Sequence, residues 1–151
     1  MSISTKEQQK MEQTLREIIE EVKRAHPDAI GTQLIPDLVE CSYEHKSAEF
    51  KITILPSMSN PKGMTHGGVI ATIFDNATGI LANSLVEDGW CPTINLQITY
   101  IKPVHLNSVL HVIVRVQSAG RSLINLYAEA FDEENRQRLL ATATGQFFTI
   151  R

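Results

Sequence analysis

The chain has 151 residues, 42% of them hydrophobic and 21% charged, which is a single-domain length with an ordinary globular composition. Fourteen basic against seventeen acidic side chains leave a formal charge of −3, and this argues against a protein that grips nucleic-acid phosphates. No stretch approaches the roughly 18 apolar residues of a membrane span, the first twenty residues are too polar for a secretory signal, and Cys41 and Cys91 form no disulfide framework, so a cytoplasmic location is expected.

In chain order, Met11, Leu15, Ile18, Ile19, Val22 and Ala25 recur at three-and-four spacing and predict an amphipathic helix. Ser4 and Glu7 have the form of a capping box at its start, and Pro27 marks its end. Leu38, Cys41 and Tyr43, then Phe50, Ile52 and Ile54, alternate with polar residues and predict a β-hairpin that stops at Pro56, followed by a loop over 57–63. From His66 to Val86 the apolar positions return to helical spacing on a wide stripe, so this second helix should be central and buried.

The rest reads as strands. Ile94, Leu96, Ile98 and Tyr100 alternate with Thr93, Asn95, Gln97 and Thr99. A second alternating run covers 110–117, a third runs from Leu123 to Phe131 after the Gly120-Arg121-Ser122 turn, and a fourth from Leu139 to Ile150. Short turns between them predict antiparallel pairing, and the economical architecture is α+β: an antiparallel sheet curled around the buried helix.

One segment departs from an ordinary core helix. Asn60-Pro61-Lys62-Gly63-Met64-Thr65-His66-Gly67-Gly68 precedes it, and Asp75 lies nine residues past the histidine. Two glycines in a first helical turn cost about 1 kcal/mol each relative to alanine, a sacrifice that suits a bare backbone open to approach. A helix start also offers unsatisfied N–H groups and the positive end of the macrodipole, as an oxyanion hole requires. Gly68, Ala71, Asp75, Gly79 and Ala82 share one strip of the helical wheel, in which Asp75 is the one large polar side chain. An acid on such a close-packing face should be partly desolvated, with its pKa raised toward the range of a working base.

Asn60, His66-Gly67-Gly68 and Asp75, together with the run from Thr93 to Pro103, resemble the motif of hotdog-fold acyl-CoA thioesterases of the phenylacetate-pathway (PaaI-like) type. The resemblance covers roughly 35–150. It implies a hotdog fold, an antiparallel sheet around one long helix, with the N-terminal helix as an addition: residues 1–30 for the helix and 31–151 for the thioesterase domain. It further implies Asp75 as general base or nucleophile on the thioester carbonyl, and the Gly67 amide as the group that polarises it. Asn60 and His66 would shape the loop and hold the thioester end, and Thr93 would position the attacking water. Asp75 of one subunit would face Gly67 of the other, so the expected state is a homodimer at least, and a dimer of dimers (homotetramer) beyond it. Coenzyme A would enter as part of the substrate, with no separate cofactor and no metal. Gly68, Lys102, Arg121 and Ser122 are candidates for substrate contacts, the basic pair for phosphates, and Ile73, Leu81 and Phe147 are candidates for lining the pocket.

The residues themselves agree with thioester chemistry: an activated acyl group needs one carboxylate, a water and an oxyanion donor, without a serine triad. The chain has no G-x-S-x-G elbow, no nucleotide-binding fingerprint, and no His/Cys/Asp cluster at metal-ligand spacing among His26, His45, His105 and His111. A non-catalytic acyl-CoA binding or regulatory module would need the same pocket and is the alternative. An acyl dehydratase is weaker, because it pairs a histidine with an acid across the pocket.

Overall fold

The computed structural model describes residues 3–150; residues 1, 2 and 151, at the outer ends of the two expected ranges, lie outside them. The chain runs α1 (Ile3–Ala25), α2 (Ile30–Gln33), β1 (Asp37–Ser42), β2 (Ser47–Thr53), a 3-10 turn (Pro56–Met58), α3 (Gly67–Asn83), β3 (Thr93–Tyr100), β4 (Val109–Ala119), β5 (Leu123–Asp132) and β6 (Leu139–Phe148). Period-2 hydrophobicity makes the strands one-sided: Phe50, Val112, Val114, Leu126, Ala128, Ala130, Ala141 and Phe147 turn inward and are buried. The helical stripe of α3 supplies Ile73, Phe74, Ala77, Ile80 and Leu81 to the same core, so the sheet curls around that helix.

All strand pairings are antiparallel, and the order is β1-β2-β4-β5-β6-β3. β3 therefore does not pair with its neighbour in sequence, β4. Both edges of β4 are taken, by β2 and β5, and β3 is sent to the free edge of β6.

The two outer strands are finished differently. β1 is covered by α1: Gln8 Nε2 donates to Cys41 O at 2.8 Å, the Tyr43 amide donates to Gln8 Oε1 at 2.8 Å, and Lys23 pairs with Asp37 at 2.6 Å. Leu15 and Ile19 anchor that helix in the core, while Val22 and Ala25 stay exposed at its C-terminal end. β3 carries no charge and no proline, and its outer edge has no strand beside it.

The ends of both long helices and two short elements differ from expectation. Ile3 is already helical, so Ser4 lies within the first turn of α1 rather than capping it. α3 ends at Asn83, where the Asn83 side chain turns to accept from the Cys91 amide at 2.9 Å. The short helix α2 and the 3-10 turn have too few residues to show a period. No helix among the described residues is long and apolar enough to cross a membrane.

Candidate active site

The loop before α3 is organised by Asn60. Its Oδ1 accepts from the Lys62 and Met64 amides at 2.8 and 3.2 Å, and its own amide donates to Met64 O at 2.6 Å. An Asx-type turn of this kind lets Gly63 adopt φ +77 and delivers the chain to His66 in extended backbone. His66 is the N-cap of α3, with Nδ1 accepting from the Gly68 amide at 2.9 Å. In the neutral ring this leaves the proton on Nε2.

The two glycines serve different neighbours. A Cβ on Gly68 would sit 3.1 Å from His66 Nδ1, so that position is bare to admit the capping ring, and its N–H is spent on the cap rather than offered to a ligand. At Gly67 the nearest group is the ring of Tyr100, whose Oη donates to Gly67 O at 2.7 Å. The Gly67 amide has no acceptor among the described residues, and it stands at the positive end of α3.

Asp75 is half-buried, two turns further along α3. Thr93 Oγ1 donates to its Oδ1 at 2.7 Å, while Oδ2 accepts nothing among the described residues. Simple alternation would turn Thr93 outward with Asn95. A bulge in the β3–β6 register between Thr93 and Asn95 reverses this: Thr93 joins Leu96 and Tyr100 on the α3 side, and Ile94 is left exposed.

The Asp75–Thr93 pair opens onto a groove of about 880 Å³ between α1, α3 and the segment leading into β3. Its walls include Ile18, Val22, Ile35, Ile80, Trp90 and Phe147. Of the three pocket candidates, Phe147 lines the groove, whereas Ile73 and Leu81 are fully enclosed in the core. Along the small-residue strip, Ala82 is buried within the chain, and Gly68, Ala71 and Asp75 remain accessible.

The phosphate candidates are not brought together. Arg121 and Ser122 lie in the turn beside the end of β6, where the Thr149 amide donates to Ser122 O at 3.0 Å, at the Thr93 end of β3. Lys102 follows Tyr100 at the other end of that strand. Both cationic side chains are exposed.

A profile of the thioesterase superfamily matches residues 62–138, just over half of the chain, including α3, β3 and β4. The chain belongs to the thioesterase superfamily. A mouse acyl-coenzyme A thioesterase, THEM4, is 39% identical over 90 residues, which cover 58% of this chain and 36% of that protein. The chain spans about a third of the length of the curated relatives it matches. Among solved structures, the E. coli PaaI protein from the phenylacetic acid degradation operon superposes with a TM-score of 0.79 at 19% identity, over 96% of both chains. A Streptococcus mutans protein solved with acetyl-CoA bound gives 0.67 at 23% identity, over 76% of this chain and 88% of that one. This thioesterase-superfamily chain thus has the hotdog fold. Among its described residues no group of three or more His, Cys, Asp and Glu could hold a metal ion.

Beyond the motif residues, the geometry adds Tyr100, which reading the sequence had placed only as one of four alternating apolar positions. No local signal marks it, because its contact with Gly67 depends on how β3 lies across α3.

Proposed function

We propose that the protein hydrolyses acyl-CoA thioesters, with Asp75 of one subunit and the Gly67 amide of a second subunit acting on the same carbonyl. The observation that carries this is the placement of the two groups on one helix. Eight residues separate Gly67 from Asp75 on α3, a rise of about 12 Å at 1.5 Å per residue. Donor and base must both approach one carbonyl to within roughly 3 Å, so a single copy does not bring them together.

A two-fold pair of chains supplies the missing half. In each copy β3 runs antiparallel to α3, with Thr93 beside Asp75 and Tyr100 beside Gly67. If two uncharged β3 edges pair antiparallel about an axis between Leu96 and Gln97, Thr93 of one falls opposite the partner subunit's Tyr100. Asp75 then meets the partner subunit's Gly67. The same pairing brings Arg121 of one copy toward the partner subunit's Lys102, a reason to assign both, with Ser122, to the CoA phosphates.

In this site the Gly67 N–H and the helix dipole stabilise the oxyanion that develops on the thioester oxygen. His66, with Nε2–H outward, and the Asn60 loop border the thioester end. Thr93 holds one oxygen of Asp75, leaving the other to take a proton from the attacking water or to attack the carbonyl itself. The C–S bond then breaks, the CoA thiolate leaves and takes up a proton, and the acyl group ends as the carboxylic acid, directly where water attacked, or after water hydrolyses the acyl–Asp75 anhydride where the carboxylate did. The groove beside Asp75, lined by Ile80, Trp90 and Phe147, receives the acyl group.

The test is a panel of alkyl- and aryl-CoA thioesters with detection of the free thiol. Wild type is expected to turn over at least one of them, and Asp75→Asn to lose at least a hundredfold in kcat with the fold intact. Binding without turnover in wild type would assign the chain to the non-catalytic alternative. Full activity in Asp75→Asn would remove the carboxylate from the mechanism.

A further inference from the structure

The Gly67–Gly68 peptide is gripped at both ends. Its carbonyl, Gly67 O, accepts the Tyr100 hydroxyl at 2.7 Å, and its N–H, on Gly68, donates to His66 Nδ1 at 2.9 Å. The preceding peptide is held on one side only: His66 O accepts from the Val69 and Ile70 amides at 2.9 and 3.2 Å, while its N–H, on Gly67, points away unpartnered. A pair of glycines has no Cβ to restrict its dihedrals, so in this first helical turn the peptide between them is held less firmly by the helix alone than it would be between bulkier residues, and contacts from outside add to the hold. His66 does so from the N-cap. The second hold comes from a different element, from the last residue of β3.

We propose that Tyr100 is a positioning residue for thioester hydrolysis: the Gly67 amide, on the His66–Gly67 peptide, and the Gly67–Gly68 peptide meet at the Gly67 Cα, and by holding the second peptide the hydroxyl limits the turning of glycine that would swing the first away from the substrate carbonyl. The inference rests on the proposed function for its catalytic consequence, but the clamp itself is a property of the free protein. The ring also lies against Gly67, within 3.4 Å of where a Cβ would be, so the aromatic body and the hydroxyl have separable roles. The ring fills space beside the glycine, and the hydroxyl sets the angle of the peptide. Because β3 is also the strand proposed to pair with a second copy, the tyrosine links the orientation of the oxyanion donor to the placement of the partner subunit's Asp75.

Tyr100→Phe separates the two roles, since it keeps the ring and removes one neutral hydrogen bond. The net worth of such a bond corresponds to roughly a two- to twelvefold change in rate. The expected result is a fall in kcat within that range, with KM within about twofold of wild type and a melting temperature lowered by no more than about 5 °C. In parallel, amide hydrogen exchange at Gly68, followed by NMR on the protein without substrate, is expected to quicken by a comparable factor. A kcat equal to that of wild type, a loss carried by KM alone, or unchanged Gly68 exchange would overturn the positioning role. Should wild type hydrolyse no thioester at all, the proposed function fails by itself, and the Gly68 exchange rate still decides whether the clamp exists.

Discussion

At the residue scale, the proposed oxyanion donor, the Gly67 amide, can be deleted without disturbing the helix that carries it. Gly67 is the first residue of α3, a position where proline is favoured because its N–H has no intrahelical partner. His66 before it has φ −64 and ψ 133, extended backbone that a following proline accepts. The Tyr100 ring, at 3.4 Å from a Cβ, can give by a few tenths of an ångström. Gly67→Pro is therefore expected to keep the melting temperature within a few degrees of wild type while lowering kcat by about 10²–10³, the typical loss for one oxyanion-hole donor. Wild-type kcat in that variant would show that another group polarises the carbonyl. The glycine pair also illustrates what a sequence can say about a site. Two bare positions at a helix start pointed to backbone open to approach, and at Gly67 the N–H is left without an acceptor among the described residues. Gly68 has another cause, the His66 ring folded back over it, and that depends on a side-chain rotamer with no trace in the residue order.

At the scale of elements, helices and strands were legible because their periods differ, 3.6 against 2, and because Asn-Pro-Lys-Gly and Gly-Arg-Ser punctuate them. Strand order was not legible: the place of β3 next to β6 follows from which edges β2 and β5 had already filled. The bulge that turns Thr93 toward Asp75 was hidden as well, since a single inserted residue leaves the polar–apolar pattern intact on both sides of it.

A further long-range device was unmarked. His111 lies on the outward side of β4 in the register, yet it is buried, with Nδ1 2.6 Å from Glu49 Oε1 and Nε2 3.2 Å from Glu133 Oε1. Arg136, from the β5–β6 turn, closes over both, its Nη1 bonding Glu49 Oε1 and its Nη2 reaching Glu49 Oε2 at 3.0 Å. The hydrogen bond from Arg136 first, and the contact with His111 second, hold the Glu49 carboxyl below its usual range against the opposing effect of burial. A depressed carboxylate stabilises the fold fully above its unfolded value of about 4.3, and the contribution disappears as pH falls through the lower folded value. Arg136→Met should cost about 1–2 kcal/mol at pH 7, discounted for the half-exposed arginine. The gap between the two proteins should narrow as pH drops below about 4. Urea denaturation of both at pH 7, 5 and 3.5 checks this, and a gap that does not vary with pH would mean that Arg136 acts through packing alone.

At the scale of the whole molecule, the contrast between the two sheet edges is the argument for a second subunit. β1 is finished by α1, whose Gln8 bonds Cys41 O and the Tyr43 amide much as a neighbouring strand would. β3 is eight residues long, carries no charge and has no strand beside its outer edge, and an edge of that kind is what the proposed pairing with a second chain would cover. If that partner completes the active site, two inactive variants should rescue each other. Asp75→Ala lacks the acid and Gly67→Pro lacks the donor, and each alone leaves both sites of a dimer dead. In a mixed dimer one site combines the two lesions, while the other joins an intact Asp75 to the partner subunit's intact Gly67. Random pairing makes half of the dimers mixed, each with one live site of two. Coexpression should therefore recover about a quarter of wild-type activity from parents that have almost none. Had both groups served one carbonyl within a single chain, no mixture would exceed its parents, because each copy would carry its own defect.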